Sequence, residues 1–426
     1  MYDKLSQLLR SGKILSQVGF EGAKFAVNRG LGREDSHVFF QNIKTILGNS
    51  KGPIMKIAQI LGTIPDLLPE EDAKILRELQ VSAPPMGGLF VKRRMKGELG
   101  EDWSSKFQSF DQTPIFAASL GQVHQAKTLE GIDVACKLQY PDMQNAIESD
   151  LGQLKLLFKG FHFFHSSLDT STIVEEITQR LREEVDYLFE AKTLGTFGEI
   201  FKDFPHIHIP KAIPDLTTPR LLTMTWLEGK SILWAEQQPL EFKEKIVDHL
   251  FHAWYYPFYA KGLIHADPHF GNYAFMENGD LCIFDFGCTR QFETEFIESV
   301  LLLFEGLIKK DDKICLEAYE RWGFEGITLE AVPTLNLWAN LMYGPLLEDR
   351  VRPLQENHSG VQGRDTLFKV LDEINNAGNL KIPKEFIFLD RATVGIGSAL
   401  LRLKVEKNWH QSFLQLLSQT GWKINI

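Results

Sequence analysis

The pattern of hydrophobic positions divides the chain into two parts. Up to about residue 110, apolar residues recur at near-helical spacing, which predicts a mostly helical segment. A proline- and glycine-containing stretch at residues 83–88 interrupts that pattern. Beyond residue 110 the spacing changes, and the larger apolar residues of Ile132–Tyr140 alternate. This alternation predicts a strand in which Lys137 lies on the face opposite the apolar side chains.

Strands become rarer toward the C-terminus. A long helical region is predicted from about Thr172 to Glu199, and a strand from Arg220 to Trp226. Two further short strands, Tyr273 to Met276 and Leu281 to Phe284, are predicted on either side of residues 277–280. The Asn278-Gly279 pair between them favours a tight two-residue hairpin turn. Helical patterns then continue to the end of the chain. A strand-rich part followed by a helix-rich part predicts an α+β fold.

Composition restricts the function classes. Net charge is 46 − 56 = −10, which argues against a general nucleic-acid-binding protein. The four cysteines are scattered and form no CxxC pair, so we expect free thiols in a reducing compartment rather than a zinc site or disulfides. No uninterrupted apolar run reaches roughly 18 residues, and the N-terminus lacks a signal-peptide pattern. We therefore expect a cytoplasmic protein without a transmembrane segment, at most peripheral to a membrane.

The first 30 residues have an amphipathic pattern. Leu5, Leu8, Ile14 and Val18 recur with basic residues between them, which is compatible with a helix on a membrane surface. A helix packed on the rest of the protein is the favoured interpretation, because apolar stripes usually face a core.

The densest chemical signal extends from Asp267 to Asp285. Asp267 and Asn272 are five residues apart, and Asp285 begins an Asp-Phe-Gly triplet after the predicted hairpin. Protein kinases use an Asp and an Asn with this spacing, together with the Asp of Asp-Phe-Gly, to position the phosphoryl acceptor and bind magnesium. The hairpin brings its ends together, so three oxygen-bearing side chains can converge. We predict a nucleoside triphosphate site with magnesium held by Asn272 and Asp285. For His265 and His269, packing and loop hydrogen bonds are favoured over metal binding.

Lys137 has the place of the kinase lysine that contacts the α- and β-phosphates. Its ion-pair partner should be a carboxylate in residues 183–190. On an ideal helix Asp186 and Glu190 share a face, whereas Glu184 lies about 200° from Asp186. Periodicity therefore leaves the partner of Lys137 open.

Two features of protein kinases are absent from the sequence. Residues 116–124, which precede the lysine strand, contain alanines and a serine where a kinase has a glycine-rich loop. No Ala-Pro-Glu follows Asp285, and an apolar helical pattern begins near Phe296. Protein substrates are therefore disfavoured.

The motifs together resemble the UbiB family of atypical kinase-like proteins, also called AarF or ADCK, over roughly residues 50–400. The resemblance lies in residues 117–124, 137–141, 184–187, 265–269 and 285–287. The string from Asp285 to Phe292 is most similar to the branch that supports coenzyme Q biosynthesis. The resemblance implies a two-lobed protein-kinase-like fold with a helical extension at residues 1–110, an N-lobe at 111–228 and a helix-rich C-lobe at 229–426.

The resemblance also implies roles for individual residues. It pairs Glu190 with Lys137 and places Glu184 and Asp186 in an acidic motif beside the nucleotide. It identifies Lys56 to Gln59 with a Lys-x-Gly-Gln signature that limits access to the site. The candidates for direct nucleotide contacts are Ala117, Ala118, Ser119, Lys137, Thr225 and Leu227. Ala58, Phe116 and Phe270 depart from the usual family residues.

These observations favour an ATPase or small-molecule kinase that supports ubiquinone biosynthesis. Asp267 would position or deprotonate the acceptor, Lys137 would hold phosphates and Glu190 would orient Lys137. ATP and Mg²⁺ are the expected cofactors. A quinone precursor or lipid, a membrane surface and proteins of a biosynthetic complex are the expected partners, and nucleic acid is not. Two alternatives remain: a nucleotide-gated pseudokinase scaffold or chaperone for a membrane-associated complex, and a kinase for an antibiotic or choline.

Overall fold

The computed structural model describes residues 85–117, 120–148, 151, 170–267, 270–354, 397 and 400–425. These residues form two compact units. One contains the residues up to Ala191 and Ala212–Trp226, and the other contains Lys192–Lys211 and the residues from Leu227 onward. Both contain helices and strands, as the predicted α+β class requires. The division at residues 110 and 228 remains a prediction, and most of residues 1–110 lie outside the described residues.

The helices are α1 (Gly88–Leu99), α2 (Thr170–Glu184), α3 (Tyr187–Ile200), α4 (Ile232–Ala235), α5 (Leu240–Lys261), α6 (Thr294–Lys309), α7 (Asp312–Trp322), α8 (Val332–Leu347) and α9 (Trp409–Thr420). The strands are β1 (Phe107–Phe110), β2 (Phe116–Ala117), β3 (Gly121–Thr128), β4 (Asp133–Gln139), β5 (Ile207–His208), β6 (Leu221–Thr225), β7 (Leu263–His265), β8 (Tyr273–Phe275), β9 (Leu281–Ile283), β10 (Thr289–Gln291), β11 (Arg352–Pro353) and β12 (Glu406–Lys407).

The first unit is built on an antiparallel sheet of order β1-β3-β4-β6, with β2 paired to β3. The alternation predicted around Lys137 is present: Val134, Cys136 and Leu138 are fully buried, whereas Lys137 is only partly buried. The three apolar side chains belong to one core cluster with Val91 and Met95 of α1, among others. This core holds the lysine strand in place from its apolar face.

The strand that carries Lys137 is shorter than the pattern Ile132–Tyr140 predicts. Ile132 precedes it and is 45% exposed. Tyr140 follows it and belongs to a different core cluster, with Leu120 and Met143. Because Pro141 comes next and has no N–H for a ladder, the chain leaves the sheet before Tyr140 can take its place on the apolar face.

The helical region predicted from Thr172 to Glu199 is present, and it consists of two helices with a break at residues 185–186. α2 ends at Glu184, and α3 begins at Tyr187. Asp186 caps α3, because its Oδ1 accepts a hydrogen bond from the backbone N–H of Phe189 at 3.0 Å. The buried side chain of Gln139 donates to the Val185 carbonyl at 2.8 Å, so the break is also held by the lysine strand.

The second unit places a helix-rich core around short strands. α5 ends at Lys261 and is followed by the cap residue Gly262, where φ is 65° and a Cβ atom would lie 2.3 Å from the Phe292 carbonyl oxygen. Glycine is therefore needed for the turn into β7, which pairs antiparallel with β10. A second sheet has the order β5-β9-β8. Asp280 anchors β5 to it, since its carboxylate accepts from His206 Nδ1 at 2.9 Å and from His208 Nε2 at 2.8 Å.

The predicted hairpin is confirmed: Tyr273 pairs with Ile283 and Phe275 with Leu281. Its turn is wider than the two-residue type. Gly279 N donates to the Met276 carbonyl at 3.0 Å, and Met276 N donates to the Asp280 carbonyl at 2.9 Å. Gly279 has a φ of 92°, whereas Asn278 does not have a positive φ. A two-residue type I′ turn needs positive φ at both central residues, so this hairpin uses glycine alone.

Beyond β10 the chain enters α6 after Phe292 and Glu293, as the apolar pattern near Phe296 predicts. In the part of the chain that the structure describes, no helix combines the length and the hydropathy required to cross a bilayer.

Candidate functional site

In the first unit, Lys137 and Glu190 form a close ion pair. Lys137 Nζ lies 3.0 Å from Glu190 Oε1 and 2.9 Å from Oε2. The side chains are 14% and 1% exposed, so this pair is almost out of water. Among the carboxylates of residues 183–190 that periodicity left open, Glu190 is therefore the one that holds Lys137. Its place in the first turn of α3 also puts its negative charge at the favourable end of the helix dipole.

Tyr187 lies in the motif at residues 184–187, but its role in this site was not predicted from the sequence. Its ring centroid lies 5.2 Å from Lys137 Nζ, a cation–π distance. Tyr187 and Glu190 are three residues apart on α3, so they share a helix face. That spacing is the signal that would have found Tyr187.

The same tyrosine limits the size of the residue at position 121, at the start of β3, where the chain has glycine. A Cβ atom there would lie 2.6 Å from the Leu138 carbonyl oxygen and 2.8 Å from the Tyr187 hydroxyl oxygen. No larger residue fits without moving backbone or ring. The glycine thus lets β3, the lysine strand and α3 approach one another at the candidate site.

The remaining candidates of the first unit are placed as follows. Glu184 is the last residue of α2, and Asp186 is the exposed cap of α3, so the 200° helix-wheel argument does not apply to them. Ala117 ends β2, and Thr225 ends β6 opposite Val134. Ala118, Ser119, Lys56 and Gln59 lie outside the described residues, as does His269.

In the second unit, Asp267 and Asn272 are directly joined. Asn272 Nδ2 donates to the Asp267 backbone carbonyl at 2.9 Å and to Asp267 Oδ2 at 3.2 Å. Both partners can only accept, which fixes the orientation of the amide and leaves Asn272 Oδ1 without a hydrogen bond from the described residues. Burial, and then the nearby Asp267 charge, raise the pKa of the Tyr273 hydroxyl, so this phenol stays neutral. Leu227, the remaining candidate contact, is half-buried at the start of a loop in this unit.

The hairpin brings Asp285 close to Asn272. The Phe284 N–H donates to the Asn272 carbonyl at 2.8 Å, which closes the hairpin beside the Asp267 loop. Asp285 has a φ of 55°, a left-handed conformation that costs a non-glycine residue roughly 1–3 kcal/mol. His265 Nε2 lies 2.8 Å from the Asp285 carbonyl oxygen and must donate to it, since a carbonyl only accepts. The histidine thus helps to hold the conformation of the aspartate.

Phe286 fixes the same segment by packing. Its ring centroid lies 4.7 Å from that of Phe197 on α3 and 5.1 Å from the His265 ring, which it meets edge-on. His265 is 5% exposed, and its Nδ1 has no hydrogen-bond partner among the described residues. Packing and loop hydrogen bonding, the roles favoured for His265, are the ones that the structure gives it.

The donor set fits a magnesium ion that binds together with phosphates. Among the described residues, no three His, Cys, Asp or Glu side chains are grouped as a metal site. Magnesium at nucleotide sites needs fewer protein ligands, because one or two carboxylates act with phosphate oxygens and water. Asp285 offers a carboxylate, and Asn272 offers an amide oxygen that the loop leaves unused. Both are hard oxygen donors of the type that magnesium prefers.

Comparison with known proteins gives consistent matches. Residues 78–319, more than half of the 426, match the profile of the ABC1 atypical kinase-like domain. The mitochondrial atypical kinase COQ8 of Saccharomyces cerevisiae is 29% identical over 335 residues, or 75% of this chain and 66% of that protein. The probable serine/threonine-protein kinase abkA of Dictyostelium discoideum is 33% identical over 291 residues, or 64% of this chain and 51% of that protein. The chain thus spans between half and two thirds of these relatives.

A solved structure extends the match to the fold of nearly the whole chain. It is described as the complex structure of Rv3197-erythromycin from Mycobacterium tuberculosis. It superposes with a TM-score of 0.63 at 23% identity and covers 92% of this chain and 98% of its own. At that identity the likeness concerns the fold alone. Together with the domain match it confirms the predicted α+β, two-lobed kinase-like fold class.

Proposed function

This chain belongs to the ABC1 atypical kinase-like family, and we propose that it binds ATP with magnesium and transfers the γ-phosphate to water or a small molecule in support of isoprenoid quinone biosynthesis. The matches include COQ8 proteins of yeast, nematode and rat. The resemblance to the UbiB family and its coenzyme Q branch, made from the motifs, is thereby confirmed. The activity and the pathway are our proposal.

The observation that carries the proposal is the segment from Asp267 to Asp285. Its loop joins Asp267 to Asn272 by two hydrogen bonds, and its hairpin brings Asp285 back to Asn272 through the Phe284 N–H. An aspartate, an asparagine and a second aspartate in this order are the groups with which kinase-type phosphoryl transfer positions the acceptor and binds magnesium. The Lys137–Glu190 pair supports the same conclusion, because an amine held this firmly is suited to bind phosphate oxygens.

Each residue then has a chemical role. The Asp267 carboxylate orients the acceptor hydroxyl or water and accepts its proton. Asn272 and Asp285 hold magnesium, which when bound neutralises charge on the phosphates. Lys137 binds phosphate oxygens, and Glu190 fixes the direction of its ammonium group. Ala117, Ala118, Ser119, Thr225 and Leu227 contact the nucleotide, and Lys56, Gln59, Glu184 and Asp186 restrict access to it. The short connection from β10 to α6 offers no platform for a peptide, which favours water or a small molecule as acceptor.

ATP turnover and quinone content test this proposal together. Asp267→Asn keeps the shape of the side chain but removes the proton acceptor, so we expect turnover of purified protein to fall by roughly 10²- to 10⁴-fold. The same variant should fail to restore quinone synthesis in a host that lacks its own family member. Asp203→Asn, the same change at an exposed carboxylate of the same unit, should behave as wild type.

Three outcomes separate the alternatives. Turnover that Asp267→Asn leaves unchanged would contradict the proposed chemistry. Restoration of quinone synthesis by an inactive Asp267→Asn protein would favour the nucleotide-gated scaffold. Rapid phosphorylation of an antibiotic or of choline by the wild type, with quinone content unaffected, would favour the small-molecule kinase.

A further inference from the structure

Strand β2 meets β3 irregularly just before the candidate nucleotide loop. Phe116 is the registered partner of Val123, yet the N–H of the preceding residue, Ile115, also donates to the Val123 carbonyl at 2.8 Å. Two successive residues therefore oppose one, which is the arrangement of a β-bulge. Bulges redirect side chains and are frequent beside functional sites.

The strand register places Phe116 on the same face of the sheet as Lys137. Val123 is opposite Phe116 on one side and opposite Lys137 on the other. Directly opposite residues of antiparallel strands project to the same face. The neighbouring residue Leu138 faces the other way and is fully buried in the core. Phe116, Val123 and Lys137 therefore form one row on the face turned away from that core.

Phe116 exposes a large apolar surface at one end of this row, since its side chain is 65% exposed. An exposed apolar side chain is ordinary by itself. What distinguishes Phe116 is its position two strands from Lys137, which at 4.7–4.9 Å per strand is roughly 10 Å. A nucleotide bound with its phosphates at Lys137 would need apolar surface at some distance from the amine, because the ribose separates the base from the phosphates.

We propose that Phe116 is the residue that recognises the base, by stacking its ring on the purine. This inference rests on the proposed function, because it takes Lys137 as the phosphate-binding group. An aromatic ring suits a flat heterocycle, and every base has a π-face, so stacking strengthens binding without choosing between bases. Phe116 therefore contributes affinity for the nucleobase in general, and selection of adenine belongs to other groups.

Equilibrium binding of three probes tests the inference: ATP, GTP and tripolyphosphate, each with magnesium. Removing a stacked aromatic residue costs roughly 1–3 kcal/mol per base, or about 5- to 140-fold in Kd. We expect Phe116→Ala to raise the Kd of ATP and the Kd of GTP by similar factors in that range. The Kd of tripolyphosphate should change by less than about twofold. Phe116→Tyr should retain wild-type affinity, and Phe116→Leu should fall between the two. Leu129→Ala is the matched control, since Leu129 is 62% exposed in the turn after β3.

The outcomes distinguish a failure of the proposed function from a failure of the Phe116 assignment. Wild-type protein that binds none of the three probes overturns the proposed function and this inference with it. Wild-type binding that Phe116→Ala leaves unchanged overturns the inference alone. Equal losses for tripolyphosphate and ATP also overturn it, because the effect would then lie in the phosphate site. A loss for ATP with none for GTP would replace general stacking by a selective contact. The Tm of each variant verifies folding, and we expect it within about 2 °C of the wild-type value because the position is exposed.

Discussion

At the scale of single residues, burial decides how much an ion pair matters. Lys137–Glu190 and Lys127–Asp133 are both lysine–carboxylate pairs within the first unit, at 2.9 Å and 3.2 Å. The side chains of the first are 14% and 1% exposed, and those of the second 37% and 52%. Removing one partner of a buried pair leaves a charge without compensation, whereas an exposed pair contributes roughly 0–1 kcal/mol.

The first prediction follows from that contrast. Lys137→Met should lower the free energy of unfolding by about 3–5 kcal/mol, because it strands the Glu190 carboxylate in the core. The double variant Lys137→Met/Glu190→Gln should recover part of that loss, since no buried charge is left. Lys127→Met, the matched control, should cost less than about 1 kcal/mol. Urea unfolding followed by circular dichroism at neutral pH measures all three. A double variant less stable than the single Lys137→Met would contradict this account.

At the scale of elements, one buried side chain attaches the segment before α1 to the sheet. Gln122, fully buried on β3, accepts from the Met86 N–H at 2.8 Å and donates to the Met86 carbonyl at 3.1 Å. The same amide nitrogen lies 3.0 Å from His124 Nε2, and His124 Nδ1 lies 2.9 Å from the Asp111 carbonyl. Burial lowers the pKa of His124, which keeps the ring neutral with its proton on Nδ1. Every donor in this network therefore has an acceptor.

Gln122→Glu breaks the network with almost no change of shape. The carboxylate cannot donate to the Met86 carbonyl or to His124, so both acceptors lose their partner. We expect the free energy of unfolding to fall by about 1–3 kcal/mol and amide exchange at Met86 to accelerate. Gln125→Glu, an exposed position on the same strand, is the matched control. Hydrogen exchange measured by mass spectrometry on a peptide that begins several residues before Met86 checks this. Equal protection in Gln122→Glu and wild type would mean that Gln122 does not hold the segment.

The elements that the sequence predicted are those specified by local pattern. The strand around Lys137, the hairpin before Asp285 and the helix beginning near Phe296 each follow from periodicity or a turn motif within a few residues. The break between α2 and α3 does not. It depends on Gln139, which reaches the Val185 carbonyl from a strand 46 residues earlier. Helical periodicity continues across the break, and the local signal, an aspartate at 186 that can cap a helix, does not by itself end the preceding helix.

The candidate site divides in the same way. Spacing identified Asp267, Asn272 and Asp285, because their positions are fixed by one loop and one hairpin. It did not choose Glu190 over Glu184 or Asp186, since that choice depends on how α3 packs against β4. The roles of Tyr187 and Gly121 were not predicted for the same reason, because their contacts with each other and with Leu138 join three separate elements. What the sequence could not supply was packing between elements.

At the scale of the whole molecule, the proposed function requires residues of both units to act on the same nucleotide. Lys137 and Glu190 belong to one unit, and Asp267, Asn272 and Asp285 to the other. Each set is internally well ordered by its own hydrogen bonds. If both sets act on one nucleotide, substitutions in the two sets should have coupled effects on ATP turnover. If the sets have separate functions, those effects should be independent.

A double-mutant cycle on ATP turnover measures that coupling. Lys137→Met removes a charge from the phosphates, and Asp285→Asn weakens the hold on magnesium, so each should lower kcat/KM strongly. If both residues stabilise one transition state, the first change already removes most of that stabilisation, and the second change has little left to remove. We expect the double variant to be far more active than the product of the two single-variant losses would give, with a coupling energy of about 0.5–3 kcal/mol.

Lys137→Met combined with Asp203→Asn is the control. Its effects on the activation free energy should be additive, because Asp203 is an exposed carboxylate without a proposed role. If Lys137→Met and Asp285→Asn instead lowered kcat/KM by factors that simply multiply, Lys137 would not act at the phosphoryl-transfer site. Independent changes at sites that share no ligand combine in that way.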